Sequence, residues 1–133
     1  MKNFILKRLQ GLHHYYSTGA TAGIEYFKTM SVFLLLIFLH YLQLAFLLNR
    51  FAAIEFDLFP FSSDAGKGLR LLIIFLCFLP VYVLITWLFP KRIVASYSYS
   101  EDKLVKFRNQ FFLYAVLLLV AIIATIWPSI KFL

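Results

Sequence analysis

The stretch TMSVFLLLIFLHYLQLAFLLN, residues 29–49, decides the fold class of this chain. It holds no Asp, Glu, Lys or Arg, and it matches the roughly 20 apolar residues that a helix needs to cross a hydrocarbon core of about 30 Å. Two further stretches without these charged residues, 71–90 and 109–130, have a similar length. None alternates polar and apolar residues as the strands of a membrane barrel do. The sequence therefore predicts an all-α membrane protein with three transmembrane helices.

The composition points to the same class. The chain has 133 residues, of which 62% are hydrophobic and 14% are charged, whereas soluble domains carry roughly 25% charged residues. A soluble chain of this length cannot hide so much apolar surface, because small domains bury only about 60–70% of it. The single cysteine, Cys77, excludes an internal disulfide and a cysteine-based zinc site. We expect residues 29–133 to form one small domain in the lipid bilayer.

Residues 1–28 are predicted to form a cytoplasmic amphipathic segment. Its apolar residues share one helical stripe: Met1, Ile5, Leu9, Leu12 and Tyr16. The opposite face is polar or basic: Asn3, Lys7, Gln10 and His14. Such a helix is expected to lie on the inner leaflet, and the alternative is a helix packed on a partner protein. The basic residues expected at the membrane surface are Lys2, Lys7, Arg8, Lys91 and Arg92.

Basic residues are unequally divided between the two sides of the predicted spans. Nine fall on the side of the N-terminal segment and the second loop: Lys2, Lys7, Arg8, Lys28, Lys91, Arg92, Lys103, Lys106 and Arg108. Four fall on the other side: Arg50, Lys67, Arg70 and Lys131. The positive-inside rule then places the N-terminus in the cytoplasm and the C-terminus on the periplasmic or extracellular side. Because the formal charge of +7 lies beside apolar spans, it indicates a bilayer rather than nucleic acid.

The start of the third predicted helix carries its own signal. Ser100 is a favourable N-cap residue, and Glu101 and Asp102 suit a first helical turn. We therefore expect this helix to begin in the cytoplasm, before the uncharged stretch 109–130. Pro80 in the middle of the second stretch is expected to kink that helix.

His40 is the polar residue that most needs an explanation, because it lies near the centre of the first predicted span. Polar side chains at this depth usually face protein or a cavity. Gln43 follows three residues later on the same helical face. In the predicted topology Tyr82 of the second helix lies at a similar depth, with Thr86 one turn further. We expect the His40 and Gln43 face to pack against the Tyr82 and Thr86 face through interhelical hydrogen bonds.

The sequence supports a cofactor role for His40 less than it supports a structural role. Six-coordinate haem requires a second axial ligand, and no other histidine lies in a predicted span. A proton or cation path through the membrane would normally use further ionisable residues, and the three stretches contain no Asp, Glu, Lys or Arg. We therefore predict no cofactor and no metal.

Catalysis is also not expected. The acidic side chains of the first loop, Glu55, Asp57 and Asp64, have no histidine on their side of the predicted membrane, so a catalytic constellation lacks partners. The sequence instead favours a non-enzymatic accessory or assembly subunit of a bacterial inner-membrane complex. Its partner would be another integral membrane protein or a second copy of the chain. Ala121 and Thr125, small residues one turn apart, are predicted to allow close approach of a helix.

Three alternative functions remain open at this point. In layout, with three spans, an inner N-terminus and a basic inner loop, the chain resembles small colicin immunity proteins, which implies binding to a pore-forming toxin within the bilayer. A self-assembling pore or holin-like effector is the second alternative. The third is a haem or quinone anchor subunit of a respiratory complex. The chain is similar to the three-helix anchors of succinate dehydrogenase in size and span number, but it lacks their histidine pattern.

Overall fold

A computed structural model describes residues 1–18, 23–52 and 66–130 of the chain. In chain order the helices are α1 (Lys2–Ser17), α2 (Glu25–Ala52), α3 (Lys67–Leu88), α4 (Lys91–Ala95) and α5 (Glu101–Ile130). Of the described residues 89% are helical and none forms a strand, so the all-α prediction is confirmed. The predicted outer loop, with Glu55, Asp57 and Asp64, lies outside the described residues.

Among the described residues, two helices are long and apolar enough to cross a membrane. They are α2, with 28 residues, and the stretch Glu101–Trp127 of α5. At 1.5 Å per residue α2 is about 42 Å long, which exceeds a hydrocarbon core of about 30 Å. A third, shorter apolar helical stretch covers Phe75–Leu88 within α3.

The predicted start of the last helix is confirmed. Helix α5 begins at Glu101 with Glu101 and Asp102 in its first turn, and the backbone N–H of Leu104 donates to the carbonyl of Ser100 at 3.1 Å. Carboxylates at this end interact favourably with the helix dipole. The local sequence therefore sets this helix boundary.

The middle of helix α1 is buried against other helices of the protein, whereas the sequence predicted that its apolar stripe would face the inner leaflet. It contacts α2, α4 and α5, and the side chains of Leu9 and Leu12 have no exposed surface. Gln10, from the predicted polar face, is also buried, and its Nε2 donates to the carbonyl of Ile93 at 3.1 Å. This hydrogen bond compensates the burial of the amide and lets α1 bury more than its apolar stripe.

The close approach of α1 to α5 depends on Gly11. A Cβ atom at this position would lie 2.7 Å from the backbone nitrogen of Arg108 and 2.7 Å from the backbone oxygen of Leu104. Both values are well below a normal van der Waals contact, so only glycine lets the two backbones meet here. Gly11 therefore positions α1 at the start of α5.

The segment after α3 also contains structure that the sequence did not predict. The short helix α4 follows Pro90, and its Val94 is fully buried in a cluster with Leu9, Met30 and Phe89. Helix α4 contacts both α1 and α2. The N-terminal segment and the basic segment after α3 therefore lie at the same end of the bundle.

Helix α3 packs mainly against α2. The rings of Phe38 and Phe78 meet edge to face, with centroids 5.0 Å apart, and Ile85 is buried. The opposite side of α3 carries exposed apolar side chains: Leu72, Phe75, Leu76, Leu79, Val83, Leu84 and Trp87. We call this side the outward face of α3.

Candidate functional site

His40 joins α2 to α5. Its Nδ1 lies 2.8 Å from the carbonyl oxygen of Leu36, and its Nε2 is hydrogen-bonded to the hydroxyl of Tyr114. The two rings are stacked with centroids 5.5 Å apart and an interplanar angle of 22°. A carbonyl can only accept, so Nδ1 carries the proton and Nε2 accepts from the Tyr114 hydroxyl.

The hydrogen-bond partner of His40 therefore differs from the α3 side chains that the sequence suggested. Thr86 donates its hydroxyl to the carbonyl of Val83 within its own helix, at 2.9 Å. The ring of Tyr82 meets Phe27, with centroids 6.3 Å apart. Gln43 is partly buried on α2.

The sequence does not point to Tyr114, because depth counted from the ends of the uncharged stretches separates it from His40. Tyr114 is only the sixth residue of the stretch 109–130, which suggested a position near the membrane surface. Counted from the starts of the helices, His40 is the sixteenth residue of α2 and Tyr114 is the fourteenth of α5. The match therefore depends on both helix starts, and only the start of α5 carries a capping signal in the sequence.

Ala121 and Thr125 lie at the far end of α5, and both are partly buried. Thr125 donates its hydroxyl to the carbonyl of Ala121 at 2.8 Å. The carbonyl of Thr125 accepts from Nη1 of Arg50, the basic residue in the last turn of α2, at 3.2 Å. This pair of small residues therefore lies where the ends of α2 and α5 meet.

The five basic residues expected at the membrane surface fall into two groups. Lys2, Lys91 and Arg92 are exposed. Lys7 is partly buried, with its ammonium nitrogen 5.9 Å from the centre of the Tyr99 ring. Arg8 is turned towards the protein and contacts α5.

Arg8 is held by neutral partners. Its Nη1 donates to the carbonyl of Phe4 and its Nη2 to Oε1 of Gln110, both at 2.9 Å. The guanidinium carbon lies 3.4 Å from the centre of the Phe4 ring. Partial burial lowers the pKa of Arg8, but an arginine stays charged in a protein. No acidic side chain forms an ion pair with Arg8 within the described part of the chain.

Arg8 lies at the edge of an apolar cleft between α1, α2 and α5. The cleft has a volume of about 630 Å³ and is open on one side. Its apolar walls include Phe33, Leu36, Ile37, Leu113 and Leu117, and its polar lining groups are Arg8, Gln110, His40 and Tyr114. Both the size and the few polar groups are typical of a small-molecule site.

A second polar cluster surrounds His13 in α1. The His13 ring is buried, and neither ring nitrogen has a hydrogen-bond partner among the described residues. Its ring meets Tyr97 edge to face, with centroids 5.9 Å apart. Burial lowers the pKa of His13 below its ordinary value of 6.5; Glu25 opposes this change, whereas Lys91 and His14 add to it. The neutral form of His13 is therefore favoured.

The outward face of α3 has a depression at Pro80. It has a volume of about 510 Å³ and is lined by Leu79, Pro80, Val83, Leu84 and Trp87. Pro80 has no N–H and cannot donate to the carbonyl of Leu76, four residues earlier. The depression is therefore apolar and lies where the helical hydrogen-bond pattern of α3 is interrupted.

Known proteins give no further guide. No family model, no curated protein and no solved structure matches this chain. The described residues also contain no group of three or more His, Cys, Asp or Glu side chains that could hold a metal ion.

Proposed function

We propose that this chain is a non-enzymatic integral membrane protein that crosses the bilayer three times and binds another membrane protein through α3. The outward face of α3, with its depression at Pro80, is the observation that carries this proposal. Trp87 is 76% exposed and Val83 is 58% exposed. Such a continuous apolar face is unstable in water and requires lipid or protein around it.

The length of α3 supports its assignment as the third span. Its 22 residues correspond to about 33 Å of helix, close to the hydrocarbon core of about 30 Å. The spans would then be α2, α3 and α5. Because α1 and α4 meet at one end, both basic segments lie on one side, and the positive-inside rule makes that side the cytoplasm. A bacterial inner membrane is the location that we propose.

The depression at Pro80 favours a protein partner over lipid alone. Helices associate in membranes by close packing and by hydrogen bonds between them. A side chain of a neighbouring helix can fill the apolar depression more closely than flexible lipid tails can. The partner we propose is a membrane helix that places an apolar side chain in this depression.

Site-specific photo-crosslinking in native membranes tests this proposal. A photoreactive amino acid replaces Val83 on α3 or, as the matched control, Val120 on α5, which is 56% exposed. We expect one discrete protein adduct from position 83 and none from position 120. Peptide sequencing of the adduct distinguishes an accessory subunit, a pore-forming toxin and a second copy of this chain. Absence of a protein adduct at position 83, or equal adducts at both positions, would contradict the proposal.

A further inference from the structure

The cleft between α1, α2 and α5 has a charged end and an apolar end. On α5, Gln110 is followed by Leu113, Tyr114 and Leu117 as the cleft continues along the helix. Seven residues of helix correspond to about 10 Å. Arg8 lies at the Gln110 end, next to the charged first turns of α5. The cleft therefore fits an amphiphile with its polar group at Arg8 and its hydrocarbon part among the apolar walls.

The charge of Arg8 at the cleft is not balanced by any acidic side chain among the described residues. Arg8 uses two of its five N–H donors on the Phe4 carbonyl and the Gln110 amide, both of which are neutral. The remaining donors have no acidic partner within residues 1–18, 23–52 and 66–130. A guanidinium in such a position favours an anionic oxygen group, and the phosphate geometry matches its fork of donors.

The deeper polar pair does not favour a neutral hydrogen-bonding headgroup. Both nitrogens of His40 are already engaged, one with Leu36 and one with Tyr114. The hydroxyl proton of Tyr114 is donated to His40, so this pair presents only an oxygen acceptor to the cleft. A ligand carbonyl would find no donor there, and the apolar walls at this depth suit a hydrocarbon chain.

We infer that the cleft binds an anionic phospholipid, with the phosphate on Arg8 and one acyl chain between α2 and α5. This site rests on the membrane location proposed above and adds a ligand to it. Arg8 lies where α5 passes from its charged first turns into its apolar stretch, which is the level of lipid phosphates. The bound lipid would balance the charge of Arg8 and fill the open side of the bundle.

Lipid retention measured by native mass spectrometry tests this inference. The full chain is reconstituted in nanodiscs of phosphatidylcholine and phosphatidylglycerol and released into the gas phase with its bound lipid. We expect the unchanged chain to retain phosphatidylglycerol in preference to phosphatidylcholine. Arg8→Gln should reduce this preference about tenfold, the effect of losing one charge-assisted contact. Arg8→Lys should keep most of it, and the control Arg92→Gln, outside the cleft, should keep all of it.

A second variant tests the acyl chain site without changing any charge. Ile37→Trp adds bulk to the cleft wall and should lower retention of both lipids, whereas Leu119→Trp, on the exposed side of α5, should not. Circular dichroism identifies any variant that loses its helices. If one member of a variant and control pair does so, the other pair decides the inference. Equal preference for phosphatidylglycerol in Arg8→Gln and Arg92→Gln would overturn it. Extraction of the chain from membranes by alkaline carbonate would instead refute the membrane location itself.

Discussion

The hydroxyl of Tyr114 donates a hydrogen bond to Nε2 of His40 and links α5 to α2. His40 is fixed in this tautomer because its Nδ1 faces the Leu36 carbonyl at 2.8 Å. A histidine with both ring nitrogens engaged within the protein has no free position for a metal or haem iron. The arrangement supports a structural role for His40.

A double-mutant cycle measures the strength of this link. His40→Leu and Tyr114→Phe should each lower the free energy of unfolding in detergent, and the double variant should be less destabilised than the sum of the two. We expect a coupling free energy of about 0.6 to 1.7 kcal/mol, the range for polar contacts between membrane helices. The control cycle pairs His40→Leu with Tyr82→Phe, for which additive effects are expected. Additivity in the Tyr114 cycle would show that the hydrogen bond contributes nothing.

Gly11 should be sensitive to the smallest substitution. Gly11→Ala places a Cβ atom 2.7 Å from two backbone atoms of α5, and backbone cannot move aside as a side chain does. We expect a loss of about 1 to 3 kcal/mol in the free energy of unfolding, typical of overpacking. Gly68→Ala in α3 is the matched control, because nothing lies within 4 Å of its added Cβ. Denaturant unfolding followed by circular dichroism compares them, and equal stability of the two variants would contradict the close approach of α1 and α5.

The packing of α1 should depend on pH through His13. Burial lowers the pKa of His13 in the folded chain below 6.5, so the unfolded state binds a proton first as the pH falls. The contribution of neutral, buried His13 to the free energy of unfolding is therefore complete above about pH 6.5. It is lost as the pH decreases from that value towards the pKa of His13 in the folded chain. The groups near the ring are Glu25, Lys91 and His14, together with Tyr97. All four are kept in the His13 variant, and only the control variant replaces His14.

The free energy of unfolding, measured about one pH unit above and about one pH unit below pH 6.5, tests this expectation. The unchanged chain should be less stable at the lower pH. In His13→Phe this His13-dependent loss should disappear, while the control His14→Phe should retain it. An unchanged pH dependence in His13→Phe would show that another group is responsible.

The sequence was sufficient for the elements that depend on local signals. Uncharged apolar runs predicted α2 and α5, since such runs favour helices in lipid. Ser100, Glu101 and Asp102 predicted the start of α5 to the residue. These signals lie within a few positions of the structure that they specify, so no knowledge of neighbouring helices is needed.

The positions of α1 and of the His40 partner could not be predicted in the same way. An apolar stripe such as that of Leu9 and Leu12 fits a membrane surface and a protein groove equally well. The decisive contact, Gly11 against the backbone of α5, joins residues far apart in the sequence. A single glycine does not indicate which helix will pack against it. The partner of His40 depended on the relative shift of α2 and α5, which uncharged run lengths alone do not define.

The central claim is that α3 crosses the membrane between α2 and α5, and cysteine labelling in intact bacteria tests it most directly. Cys77 is exposed and is first replaced by alanine. A single cysteine is then placed at Ser63, before α3, or at Ser98, after it. The account predicts that a membrane-impermeant maleimide labels position 63 in intact cells and position 98 only after permeabilisation. Equal labelling of both positions in intact cells, or of neither, would place both segments on one side and contradict the third span.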